Sequence, residues 1–295
     1  TATVYQYYYA SGYDGGSSGI IQQNTSLGPN TFTLQADVNF PLLPSPGSKQ
    51  YVTPLSATSS LYGFHTPKST SATETDTTWA NAEVDYGLQV FAVHAVTDYS
   101  EITTPAAASK DAYFMVKDRL GNIILQTDTM TNVYSDSRWV LSLNVRPETY
   151  PFAQDVDGAE IHNHNYIVEL YGANYVSDLK NASFQNSSTV NFATGSNILT
   201  SAKRVHIGAH RTNNTGSIIE RSDVRIGACR AWNSFLTSSE VDLQAKSANV
   251  YGSMHPYRNI NTFQASGSDV YIPSVESLML NWDFETVTGS DTSGQ

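Results

Sequence analysis

The feature that most constrains this chain is an apolar–polar alternation with a period of two. In TFTLQADVNF (31–40), Phe32, Leu34, Ala36, Val38 and Phe40 fall on one side, and Thr33, Gln35, Asp37 and Asn39 on the other. That spacing suits a strand with one face in a core, and no helix can place those five residues together. The pattern returns in YGLQVFAVHAV (86–96), RWVLSLNVRP (138–147), NYIVELYG (165–172), STVNFAT, KRVHIGAH and SDVRIGACRAWN. In AYFMVKDRLGNIILQT it is broken by Asp118 to Asn122, which predicts a hairpin turn with Gly121 at positive φ. About ten such strands with long irregular connections predict an all-β, two-sheet antiparallel sandwich of jelly-roll type.

Three stretches depart from the pattern. LTSSEVDLQAKSAN (236–249) reads as the one short helix, with Thr237 or Ser238 as N-cap and Glu240 in the first turn. Residues 41–80, rich in Pro, Ser and Thr, have little periodicity and read as a long loop excursion. The first thirty residues place Tyr5, Tyr7 and Tyr9 on one side of a short strand, before a Gly/Ser loop. With Tyr8 and Tyr13 they form either an aromatic sugar platform or an interface with an adjacent copy, since Tyr is favoured in buried contacts between chains.

Composition narrows the function classes. Hydrophobic residues make up 40% and charged residues 15%, so a core is available and the surface is largely Ser, Thr, Asn and Gln. The formal charge of −11 repels phosphate backbones, which argues against nucleic-acid binding through a basic groove. A single cysteine, Cys229, cannot form an intrachain disulfide, and its strand context reads as a small buried side chain. No run approaches eighteen apolar residues, so no membrane-inserted helix is expected. Asn-x-Ser/Thr sequons at Asn24, Asn181, Asn186 and Asn213 arise readily in a chain this rich in Asn, Ser and Thr.

KRVHIGAH followed by SDVRIGACRAWNSFLTSSEVD resembles the closing section of concanavalin A-like jelly rolls of the laminin G type. The matching positions are Ile207–Gly208, Ser222 to Arg225, Arg230 to Trp232, and Leu236 to Glu240. FTLQADVNF is similar to an early strand of those domains, with Ala36 or Val38 where an aromatic is usual. SLMLNWDFETVTGSDTSGQ resembles the opening of such a domain: an alternating strand, then a Thr/Gly/Ser/Asp turn. The resemblance implies a Tyr/Gly-rich N-terminal segment (1–30), a laminin G-like jelly roll (31–250), and a linker with a strand at 251–295. That strand either opens a further module, the favoured reading, or completes this sandwich out of order. The Thr/Ser/Asn/Tyr-rich, nearly cysteine-free style is also similar to large modular structural proteins of bacteriophage particles.

Two polar groupings could carry chemistry. QDVDGAEIHNHN gathers Asp155, Asp157, Glu160, His162 and His164. Asp-x-Asp-x-x-Glu has nearly the spacing of the carboxylate signature of jelly-roll glycosidases, but Gly158 marks a turn and the first carboxylate is short. Asp-x-Asp-Gly offers hard oxygen ligands for Ca²⁺, and the two histidines could hold a transition metal. The simplest reading is a solvated acidic loop. In GAHRTNNTG (208–216), His210, Asn213 and Asn214 could hydrogen-bond sugar hydroxyls, or the segment is turn chemistry alone. No phosphate-binding Gly loop, nucleophile elbow or zinc set is present in the sequence.

These readings lead to an expected function. The chain is expected to be a non-enzymatic structural or adhesive module of a virion or fibre-like surface assembly. Its partners would be neighbouring copies or other subunits, with surface glycans as further contacts. The alternatives are a Ca²⁺-dependent carbohydrate-binding lectin module and, third, a glycoside hydrolase using the 155–160 carboxylates.

Overall fold

The computed structural model describes residues 3–8, 31–42, 58–65, 87–95, 110–118, 121–148, 165–200, 203–211, 218–222, 224–232, 235–247 and 278–283. Its strands in chain order are β1 (Thr3–Tyr8), β2 (Phe32–Phe40), β3 (Thr58–His65), β4 (Leu88–His94), β5 (Ala112–Asp118), β6 (Ile123–Gln126) and β7 (Ser137–Pro147). They continue as β8 (Tyr166–Val176), β9 (Leu179–Val190), β10 (Lys203–Ile207), β11 (Ala209–Arg211), β12 (Ile218–Arg221), β13 (Arg225–Trp232) and β14 (Leu278–Asp283). Two helices, α1 (Phe192–Thr200) and α2 (Ser238–Lys246), complete the described elements.

The strands form two six-stranded antiparallel sheets packed on each other, as the alternation predicts. One sheet runs β1-β10-β3-β4-β5-β6 and the other β14-β13-β2-β7-β8-β9, with β11 and β12 as a separate ribbon. We call them the first and second sheets. The asparagine of β9 that points inward, Asn186, donates from Nδ2 to the Gln126 carbonyl of β6 at 3.3 Å, so β6 and β9 flank one lateral edge. By the same sheet orders, β1 and β14 lie on the opposite side.

The core between the sheets is rich in aromatic rings. Phe32 meets Phe64 edge-on at 5.3 Å, and Phe40 meets Phe114 in the same way at 5.9 Å. Phe114 stacks on Phe184 at 4.9 Å, and Trp139 lies tilted against both rings. Such offset and edge-on arrangements suit the ring quadrupole and add to the stabilisation from burial. Every residue of β4 is buried, as expected for 86–96. Its outward Phe91 and Val93 form a second small cluster with Met115 on the far face of the first sheet.

The predicted hairpin is present. Gly121 has φ 85°, and the Asp118 carboxylate accepts from the backbone N–H and side-chain amide of Asn122, both at 2.8 Å. The predicted helix is α2, and Thr237 with Glu240 forms a reciprocal capping box.

Two local expectations are corrected. Thr58–His65 lies within the stretch expected as loop excursion (41–80), yet it is β3, paired with both β10 and β4. A register shift between Ser60 and Tyr62 breaks its period, so Leu61 joins Tyr62 and Phe64 in the core. STVNFAT, expected as strand, splits after Val190, and Phe192–Thr200 is a second helix rather than more sheet. Asn191 starts that helix: its side chain accepts from the Thr194 N–H at 2.9 Å. Ile198 and Leu199 then enter the core, and Gly195 lies so close to Tyr166 that a Cβ there would stand 2.3 Å from the ring. The segment 276–295, read as an opening or a completing strand, contributes β14, which pairs with β13. No described helix is long and apolar enough to cross a membrane.

Candidate functional site

The chemistry-bearing side chains that the structure brings together lie on the outer face of the second sheet. Register sets them in rows. Asn281 (β14), Arg230 (β13), Gln35 (β2), Ser142 (β7), Tyr171 (β8) and Gln185 (β9) stand opposite one another in turn. The next row runs Trp232, Thr33, Asn144, Glu169 and Ser187. These are the polar halves of the same alternation whose apolar halves fill the core.

Part of this face is roofed by α2 and the residues before it. Val241 and Ala245 of the helix, with Leu236, pack on Val140, Tyr171, Ala173, Trp232 and Leu278. Polar clamps fix the roof. Arg138 embraces the Asp37 carboxylate from Nε and Nη2, and donates from Nη1 to the Ala245 carbonyl at 2.8 Å and from Nη2 to the Gln244 carbonyl at 3.2 Å. A cation at a helix C-terminus also opposes the negative end of the helix dipole. Across the helix, Tyr171 donates to Asp242 at 2.6 Å, and Lys180 pairs with the other oxygen of that carboxylate at 2.5 Å. The Leu236 N–H reaches Thr33 Oγ1 at 3.2 Å.

Beside the roof lies a group of mixed charge. Glu169, only 4% exposed, accepts from Gln185 Nε2 at 3.1 Å and Asn144 Nδ2 at 3.3 Å, and stands 3.8 Å from Arg146 Nη2. The Arg146 guanidinium also lies over the Phe235 ring at 5.0 Å. Gln35 is 2% exposed, and neither its amide nitrogen nor its amide oxygen has a hydrogen-bond partner among the described residues. Buried amides left in this way are uncommon and costly.

Burial, and then the bond to Asp242, push the Tyr171 phenol up to about 12. Burial pushes the Cys229 thiol up to about 12, and raises Tyr166 and Tyr62 as well. All four are acids held protonated by the fold. Their contribution is complete below their unfolded pKa values, about 9 for the thiol and 10 for the phenols, and is lost as pH climbs towards the folded values. The hydrogen bond to Asp242 raises Lys180 too, so its share disappears in the same direction. Resistance to urea should therefore hold to about pH 9 and fall steeply above it, with Tyr171→Phe giving a shallower decline. Equal urea midpoints at about pH 8 and pH 11 would contradict this account.

Of the residues singled out in the sequence, His210 lies in β11, opposite Glu220 of β12. Asp155, Asp157, Glu160, His162, His164, Asn213 and Asn214 lie outside the described residues, so their spatial grouping is not part of the structure's description. Among the described residues, no group of three or more His, Cys, Asp and Glu is placed to hold a metal ion. The outer-face row went unrecognised in the sequence, although Glu169 offered a signal: a carboxylate in the middle of the apolar run YIVELYG. No family model, curated protein or solved structure matches the chain.

Proposed function

We propose that this chain is a non-enzymatic structural and adhesive module that meets neighbouring subunits in a virion or fibre-like surface assembly. The observation that carries the reading is the placement of the first and last described strands. β1 and β14, the first and last described strands, are the edge strands of the two sheets on one lateral side. A rigid double sheet with its first and last described strands on one side offers its other edge and its outer faces to neighbours. The similarity of 207–240 to laminin G-type jelly rolls and the Thr/Ser/Asn-rich surface support the same reading.

A carbohydrate-binding module is the second reading, and one observation favours it. Arg146 and Gln185, both held by the buried Glu169, lie on the same side as the half-buried Phe235 ring, a charge, an amide and an aromatic that suit sugar hydroxyls and a pyranose face.

A glycan-array screen of residues 1–295, run with Ca²⁺ and with chelator, separates the two. The structural reading expects no selective glycan in either arm. Selective binding would replace it with the lectin, and loss of that binding in chelator would add Ca²⁺ as a ligand.

A further inference from the structure

The edge that the structural reading offers to neighbours includes the free edge of β9. Twelve residues long, β9 pairs with β8 on one side, and among the described residues no strand pairs with the other. Its outward side chains Ser183, Gln185, Ser187 and Thr189 are exposed, and the inward Phe184, Asn186, Ser188 and Val190 are half-buried. The far edge of the same sheet, β14, has six residues, and β6 above β9 has four. Soluble sandwiches blunt a long edge with Pro, a mid-strand bulge or repeated charges. β9 contains no Pro and one charged residue, Lys180, and its only register shift lies near the hairpin end, between Asn174 and Tyr175 of the partner strand.

Charge says what can approach this edge. The chain carries −11, so copies repel one another over most of their surface. From Leu179 to Val190 there is no Asp or Glu and one Lys, which leaves a hydrogen-bonding strip without negative charge in an acidic molecule. An acidic chain of the same kind therefore meets least resistance here, and a strand paired antiparallel with itself is self-complementary about a two-fold axis.

We propose that β9 is the contact between two copies of this chain, which join edge to edge into one continuous antiparallel sheet. The inference deepens the structural-module reading and rests on it. Opposite residues in an antiparallel pair share a face, so the two-fold axis must pass through a residue pair rather than between two positions. Gln185, the exposed residue at the middle of β9, is that residue, and it faces its own counterpart across the axis.

The symmetry gives the test. Gln185→Cys in the full chain should form a disulfide-linked dimer under mild oxidation, while the wild-type thiol, the buried Cys229, should not. Light scattering should show a concentration-dependent dimer for the wild type, weakened at least about tenfold in Ser183→Lys/Ser187→Lys, which sets like charges face to face across the axis. A monomeric wild type, an oxidised Gln185→Cys chain that stays monomeric, or a lysine variant that associates as before would each overturn the inference. Circular dichroism of both variants guards against misfolding as the cause. Association that persists in the lysine variant leaves the structural module standing on another surface, whereas selective glycan binding would remove that reading itself.

Discussion

Trp139→Ala should be the most damaging single truncation in the second sheet, lowering the free energy of unfolding by about 3–5 kcal/mol. The indole is 2% exposed and wedged against Phe114 at 5.7 Å and Phe184 at 6.0 Å. Its N–H donates to Ser137 Oγ at 3.0 Å, so truncation also removes one bond from that hydroxyl, which keeps its own bond to the Val133 carbonyl. Those rings belong to opposite sheets, and neither can move into the space without leaving its strand. The cost therefore combines lost transfer energy with a cavity that cannot collapse. A drop in urea midpoint at unchanged slope is the expected signature. A loss below about 1 kcal/mol would mean that the rings around Trp139 repack, and that the core is looser than its geometry implies.

Arg138→Met should cost about 2–4 kcal/mol and act mainly on α2. The change leaves the Asp37 carboxylate, 9% exposed, without its guanidinium, and takes a donor from the carbonyls of Gln244 and Ala245. Partial exposure of the arginine, 31% for its side chain, holds the figure below that of a fully buried pair. Hydrogen exchange separates a local effect from a global one. Amides of α2 should lose protection while those of β7 and β8 keep it, because the helix opens first once its C-terminal clamp is gone. Unchanged protection in α2 would show that Val241, Ala245 and Leu236 hold the helix without the clamp. Pairing the substitution with Asp37→Leu should recover part of the loss, since the stranded carboxylate is then removed as well.

What could be read from the sequence was what short-range signals encode. β2 and β4 announce themselves by their side-chain pattern, the 118–122 turn by its glycine, and α2 by its capping box. β3 was hidden because the shift at Ser60 and Tyr62 breaks its alternation in a surround of Ser, Thr and Pro. α1 was hidden because FATGSNILT has a glycine and poor helix propensity, and its helicity comes from burying Ile198 and Leu199 behind an Asn191 cap. The outer-face row was less legible still. Arg230 stands opposite Gln35 and Gln35 opposite Ser142 only because sheet register brings distant segments together, and no local pattern reports that.

The order of strands in the second sheet has a consequence for how the chain acquires its structure. β2 is made before both of its neighbours, β7 and β13, so Phe32 waits for Val145 and Thr33 for Trp232. Until then a strand with five core side chains has no edge to join, whereas β7, β8 and β9 can pair in succession as soon as each is made. Closing such distant contacts carries the loop entropy that slows folding. The meander β7–β8–β9 is thus the natural nucleus. The long wait of β2 is the interval in which an incomplete chain is most exposed to aggregation or most in need of a chaperone.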